Sequence, residues 1–345
     1  MSLRFSRANL CVLALAITVS VPADAQSSRR SAEQRASLLD RDDVRAFIEE
    51  MRVEHGFDSR DVARWLAAAK LQPRVVELMN RPIVEPPKWF EYAPQFLAQA
   101  RVDAGIAFWS ANVEALQRAE SATGVPAEVI VAIIGIETYF GRYGGSHRVI
   151  DALTTLAFDY PRRAQFFRGE LKEYFVLARE QGFSPLAVRG SFAGAMGLPQ
   201  FMPGSYRRYA IDFDGTGRVD LFSSASDAIG SVANYLARHD WQRGQPALVA
   251  ARIAPGEIDA ITRRVEGGLA ERRLASLWAS DGVTPVAWPG GMGPEPLGLL
   301  LLEESKSESS YWIACHNFYV IMRYNRSRLY ASAVWQLAQV LREAR

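Results

Sequence analysis

One carboxylate in this 345-residue chain stands where it can move a proton. Glu137 closes the apolar run Val129-Ile130-Val131-Ala132-Ile133-Ile134-Gly135-Ile136. Such surroundings desolvate a carboxyl group, disfavour its charged form and raise its pKa. A raised carboxyl pKa suits a general acid near neutral pH. The competing reading is a glutamate that has reached the surface where its helix ends, because structural carboxylates outnumber catalytic ones. No second acidic residue stands between Ile136 and His147. A second group of oxygen ligands runs Asp212-Phe213-Asp214-Gly215-Thr216-Gly217-Arg218-Val219-Asp220. This order resembles the start of an EF-hand loop. Asp212, Asp214, Thr216 and Asp220 supply side-chain oxygens, Arg218 a backbone carbonyl, and Gly217 the sharp turn. Ser223 stands where a bidentate Glu is usual, and Asp227 is the nearest replacement. A weak structural calcium site and a metal-free Asp/Gly turn both remain open. The four His show no zinc spacing, and neither a Walker loop nor a GxSxG elbow is present.

Helices must position these residues. Asp42 can cap a helix through Met51, and Ser59 or Asp61 another through Lys70. Pro82, Pro86 and Pro87 break the chain. Trp89–Ala98 and Val102–Ala119 have amphipathic spacing. Pro126 opens a helix apolar on all sides, which is the pattern of a buried helix. Residues 141–147 form a Gly-rich turn, and helices are expected near 150–159, 161–181, 199–209 and 224–241. Leu297–Glu303, Tyr311–His316 and Phe318–Tyr324 read as three short antiparallel strands. Ser327 caps a last helix to about Leu341.

Composition narrows the class. The chain is 49% hydrophobic and 23% charged, which excludes a disordered or fibrous protein. Net charge is +2 with no concentrated basic face, so no nucleic-acid partner is expected. Two distant Cys exclude a disulfide scaffold or an iron–sulfur cluster. Arg4 and Arg7, the apolar stretch Leu10–Val21 and Ala23-Asp24-Ala25 read as a secretory signal cleaved before Gln26. An uncleaved membrane anchor is the competing reading. Cys11, inside the apolar run, offers a poor context for a lipid anchor. Residues 26–38 are a polar leader.

The surroundings of Glu137 carry more than the residue itself. The runs IETYFGRYGGSH (136–147), DALTTLAFDYPRR (151–163), GSFAGAMGLPQFMPGSY (190–206), DFDGTGRVDLFSSASDAIGSVANYLARHDW (212–241) and RYNRSRLYASAV (323–334) follow in order. Together they resemble the lytic murein transglycosylase B family, glycoside hydrolase family 103. The resemblance covers the chain from about residue 40 to its end. It implies a mainly α protein with a small antiparallel β lobe and a lysozyme-like core. It further implies cleavage of the MurNAc–GlcNAc β-1,4 bond of peptidoglycan with a 1,6-anhydro-MurNAc end, and Glu137 acting as acid and then as base. A hydrolytic muramidase and a silent wall-binding scaffold are the alternatives.

By the same resemblance Ser191, Gln200, Tyr92, Arg162, Arg163, Tyr235, Tyr324, Asn325 and Tyr330 match substrate-cleft positions. Asp212, Asp214, Thr216, Arg218, Asp220 and Asp227 match a metal loop. No cofactor is required for the chemistry. The expected partners are peptidoglycan glycan strands and, as an open possibility, cell-wall synthesis or hydrolysis complexes. The expected location is the periplasm, soluble rather than lipid-anchored. The implied division is 1–25 signal, 26–38 leader, 39–121 helical lobe and 122–245 catalytic core with the EF-hand-like loop. A small β-containing lobe at 246–322 follows, then a C-terminal motif and helix at 323–345. Phe192 and Leu198-Pro199 depart from the family pattern, which puts one subsite in doubt but not the chemistry.

Overall fold

A computed structural model describes residues 38–81, 86–288 and 294–345. The expected signal, its cleavage point, Cys11, the leader up to residue 37 and Pro82 lie outside the described residues. The first long helix, Asp42–His55, begins with two acidic residues where the helix dipole favours negative charge. It stops at Gly56 in the left-handed conformation. The next, Ser59–Ala68, is capped by Asp58, whose side chain accepts the Arg60 N–H, rather than by the expected Ser59 or Asp61. Two expected helices between Trp89 and Ala119 are four segments: Trp89–Tyr92, Pro94–Leu97, Gln99–Ala111 and Val113–Thr123. Pro94 brings no N–H, Ala98 is extended, and Asn112 leaves helical geometry between the last two.

The helix Ala127–Thr138 lies at the centre. Val129 to Ile134 are fully buried, and each Val or Ile among them is worth about 1.5–3 kcal/mol against exposure. It packs against Gln99–Ala111, Val113–Thr123, Ala225–Arg238 and the C-terminal helix Arg328–Glu343. Among the described residues no single helix is long and apolar enough to cross a membrane. The apolarity of Ala127–Thr138 is that of a core element.

A two-stranded ribbon pairs β1 (His147–Arg148) with β2 (Arg189–Gly190). A four-stranded antiparallel sheet holds β3 (Leu248–Ile253), β4 (Val283–Pro285), β5 (Gly298–Glu303) and β6 (Ser309–Ala314) in the order β4-β3-β6-β5. The run of leucines in β5 is explained by burial on both faces. Leu300 and Leu302 join the main core, while Leu299 and Leu301 join a second cluster around Trp278 and Ile313. Alternation along a strand divides one apolar run between two cores.

The expected third strand at Phe318–Tyr324 is instead a helix, His316–Tyr324. Its aromatic and β-branched residues suggest a strand. Yet its buried positions Asn317, Phe318, Val320 and Ile321 follow helical spacing. The helix expected from 199 begins only at Pro203, because Met196 and Phe201 bridge across a tight turn. Strands β3 and β4 lack a period strong enough to be read in advance. Ser327 caps the last helix, its Oγ accepting the Tyr330 N–H as expected.

Candidate active site

Glu137 sits in the last turn of Ala127–Thr138, and the chain beyond it is built to hold that turn still. Tyr139 and Phe140 are both left-handed, at φ 52° and 58°, an uncommon state for residues other than glycine. This folds Phe140 back over its own helix. A Cβ on Gly135 would stand 2.6 Å from the Phe140 ring, so only glycine admits the ring there. Thr138 Oγ1 donates to Leu198 O at 2.9 Å and accepts the Gly141 N–H at 3.0 Å. From the neighbouring helix, Arg101 donates through Nη1 to Gly135 O and through Nε to Gln95 O at 3.2 Å. Its guanidinium lies 4.5 Å from the centre of the Tyr139 ring, a cation–π contact.

Arg101 therefore holds in place the turn that carries Glu137. Arg101→Met is expected to lower kcat about tenfold, or ~1.4 kcal/mol, with KM changed less than threefold and partial rescue by Arg101→Lys. Steady-state kinetics on a soluble glycan would check this. A rise in KM with kcat intact would contradict it.

The carboxyl group of Glu137 is enclosed, although the residue keeps some exposure. Burial pushes its pKa up to about 7, against the lowering effect of a hydrogen bond from Tyr330. That bond runs from the Tyr330 hydroxyl to Oε1 at 2.6 Å. The antiparallel C-terminal helix carries Tyr330 in its first turn, which places the phenol against the end of the Glu137 helix. Tyr324 lies parallel to Tyr330, with ring centres 6.5 Å apart, and donates to Pro199 O at 2.6 Å. Its hydroxyl and that of Tyr92 both feel the Glu137 charge, and burial followed by that charge pushes their pKa values up. Tyr235 meets Tyr324 edge-on at 4.8 Å and donates to Arg323 O at 2.7 Å. One polar-tipped aromatic wall thus joins Glu137 to Tyr330, Tyr324 and Tyr235, while Tyr92 stands near enough to feel its charge.

Gln200 borders the same wall through its neighbour Pro199. It is left-handed at φ 50°, and its Nε2 donates to Gly197 O at 2.9 Å and Gly144 O at 3.3 Å. Ser191 Oγ accepts the N–H groups of Ala193 and Ala195, at 3.2 and 3.0 Å. Its bonds to the described residues are those of a turn serine, and none reaches Glu137. Arg162 and Arg163 stand exposed in a short 3-10 turn, with Arg163 stacked 4.2 Å over Phe166. Asn325 is exposed just past the helix His316–Tyr324. Sequence reasoning missed Arg101, Thr138 and Phe140. Thr138 and Phe140 lie inside a motif that could have drawn attention, whereas Arg101 carries no local signal.

In the acidic loop, ligand oxygens of Asp212, Asp214 and Asp227 lie within 4.8 Å of one another. Oxygens around one Ca²⁺ at ~2.3–2.6 Å have that spacing, so this all-oxygen set fits the ion. Asp227 is fully buried and accepts the N–H groups of Phe213, Asp214 and Asp220. Asp220 instead accepts from Phe222 and Ser223, and Thr216 Oγ1 donates to the Arg218 carbonyl. The Arg218 side chain is exposed. The loop also reaches the turn that carries Glu137, since Leu221 O accepts the Leu198 N–H at 2.8 Å and Leu198 O in turn holds Thr138.

The transglycosylase SLT domain family matches residues 40–339. The membrane-bound lytic murein transglycosylase B of Escherichia coli is 42% identical over 309 residues, covering 87% of this chain and 82% of that protein. The soluble lytic transglycosylase SltB1 of Pseudomonas aeruginosa superposes with a TM-score of 0.80 at 42% identity, covering 87% of this chain and 98% of that one. The Escherichia coli lytic transglycosylase Slt35, solved with bulgecin A, gives 0.81 at 40% identity, covering 89% and 94%. It has also been solved with calcium. Pseudomonas aeruginosa SltB3, at 30% identity and a TM-score of 0.74, has been solved with NAG-anhNAM-pentapeptide; the match covers 87% of this chain and 78% of that one.

Proposed function

The chain belongs to the transglycosylase SLT domain family, and from that membership we propose how its residues carry out the reaction. It is a lytic murein transglycosylase that acts on peptidoglycan, with a mainly helical, lysozyme-like fold and no cofactor in the chemistry. The finer reading is a single-glutamate mechanism that leaves a 1,6-anhydro-MurNAc end, and the observation that carries it is the enclosed Glu137 carboxyl with its pKa near 7.

Tyr330 donates to Oε1, which leaves Oε2 to hold the acidic proton. Glu137 gives that proton to the glycosidic oxygen as the bond to C1 breaks. The substrate's own acetamido group stabilises the cationic C1. The carboxylate, its charge now eased by Tyr330, takes the proton from the 6-hydroxyl as O6 bonds to C1. Attack from within the sugar needs no activated water, and proximity favours closure. The usual pair of glycosidase carboxylates is then unnecessary. Tyr92, Tyr235, Tyr324 and Gln200 form the sugar-binding wall. Ser191, Arg162, Arg163 and Asn325 are assigned to outer contacts with the saccharide or its stem peptide.

We retain the division into a helical lobe at 39–121, a core at 122–245, a small lobe at 246–322 and a C-terminal return at 323–345. The same reading places the enzyme in the periplasm after loss of residues 1–25, soluble rather than lipid-anchored, with glycan strands as its partner. Contacts with wall-synthesis or hydrolysis complexes belong to the same proposal.

Digestion of purified peptidoglycan followed by mass spectrometry tests the reaction. Anhydro ends are expected. Reducing ends would establish a muramidase in its place, and binding without cleavage would establish a scaffold.

For the loop, Asp212, Asp214 and Asp227, with the Arg218 carbonyl, would hold calcium in a structural role. Calcium is expected to raise Tm by several degrees, and Asp214→Asn to remove that rise while the calcium-free Tm stays within a few degrees. Differential scanning calorimetry reads both. A calcium-independent Tm in the parent protein would refute the site.

A further inference from the structure

A cavity of about 460 Å³ opens at the far end of the two helices that build the active site. Its volume is that of a small-molecule site. Gln339 and Arg342 line it from the C-terminal helix, nine and twelve residues beyond Tyr330. Glu128 lines it from the catalytic helix, nine residues before Glu137. At 1.5 Å per residue this is roughly 14 Å along the helix pair from the catalytic carboxyl, a separate place on the molecule.

The lining is unusual for an incidental surface hollow. Two partly exposed indoles form walls, Trp335 from the C-terminal helix and Trp312 from β6. Glu128, Arg342, Gln245 and Gln339 add polar side chains to the same lining. Arg342 Nη2 donates to Gln339 Oε1. Arginine can only donate, so this bond fixes which way the amide faces. Gln339 Nε2 is then buried in the cavity wall with no acceptor among the described residues, a costly state for a donor. Burial, reinforced by Glu120, pushes the Glu128 carboxyl pKa up.

We propose that this cavity is a second, non-catalytic saccharide site that holds N-acetylhexosamine units of a glycan strand between Trp312 and Trp335. The choice of ligand rests on the peptidoglycan reading above. Pyranose rings present apolar faces that suit indole walls, and their hydroxyl and acetamido groups match a carboxylate, a guanidinium and two amides. With Nε2 enclosed and Oε1 accepting from Arg342, Gln339 holds the guanidinium at the cavity mouth, where its other N–H groups can donate to ring or acetamido oxygens. A strand held here stays tethered while the distant Glu137 cleaves, which matters for an insoluble polymer and not for a short soluble one.

Titration of the full chain with chitotetraose, read through the indole 15N–1H signals, tests the proposal. The Trp312 and Trp335 signals, assigned by substitution, are expected to shift. Gln339→Leu should weaken the affinity seen at those signals tenfold or more, and Glu137→Gln should change it less than twofold. The same Gln339→Leu protein should cleave soluble muropeptide oligomers within twofold of the parent, yet lose at least threefold on intact sacculi. Trp312 and Trp335 signals unmoved at saturating sugar would overturn the proposal, as would a Gln339→Leu protein with unchanged affinity. A protein that binds at these indoles but yields no anhydro ends would leave this site standing and remove the reaction proposed above.

Discussion

Glu137→Gln is expected to slow glycan cleavage by about a thousandfold, within the ~10²–10⁴ range for loss of a general acid, with glycan binding changed less than threefold. Gln fills the same space and still accepts the Tyr330 hydroxyl bond, but it cannot give up a proton. The same substitution has a second consequence of opposite sign. The Glu137 carboxyl has a pKa of about 7 in the folded chain against an ordinary 4.5. Between those values the folded state holds a proton that the unfolded state has released, so stability falls as pH rises from 4.5 through 7. The loss is complete above that window and amounts to up to about 3 kcal/mol. Glu137→Gln should therefore be more stable than the parent at pH 8 by up to this amount, and nearly equal to it at pH 4. Urea unfolding at the two pH values measures the difference. Equal stability at pH 8 would mean that the carboxyl is not held in a desolvating site.

Tyr330→Phe should change the pH dependence of turnover rather than abolish turnover. The Tyr330 bond to Oε1 favours the carboxylate. Its removal raises the Glu137 pKa further, by roughly one unit for one lost bond to a charged group. The acid must be protonated to act, so turnover falls on the alkaline side as that proton is lost. In the variant this fall should move to higher pH. Turnover on the acidic plateau should drop about 10–100-fold, because Oε1 is no longer anchored and the anion formed in the first step is less well supported. Tyr324→Phe is the contrast: Tyr324 bonds Pro199 O rather than the carboxyl, so its loss should raise KM and leave the pH profile in place. Profiles of kcat from pH 5 to 9 for both variants separate these effects. A Tyr330→Phe profile that overlays the parent would detach Tyr330 from the proton transfer.

Much of the site was legible because its signals are local. The apolar run before Glu137 predicts a buried helix with a carboxyl at its end, and that is where the carboxyl lies. The Asp212–Asp220 spacing singled out an acidic loop, and Ser327 announced the last helix. Phe318–Tyr324 misled because aromatic and β-branched residues serve equally in a strand and on a buried helical face; only the packing partners choose. Arg162 and Arg163 sit in a strong motif, yet both are exposed in the structure, and Arg163 stacks on Phe166 and Phe167 rather than reaching Glu137.

By itself, then, the sequence determined the reaction class, through ordered motifs that mark the family, and the place of Glu137 at the end of a buried helix, through the apolar run before it. Tertiary structure alone decided what perturbs that carboxyl. Tyr330 is 193 positions from Glu137 and meets it only because two antiparallel helices bring their ends together. Arg101 and Leu198, likewise, reach the Glu137 turn from separate elements. A pKa depends on what surrounds a group in space, and periodicity along a chain says which face of a helix is buried but not which residues bury it.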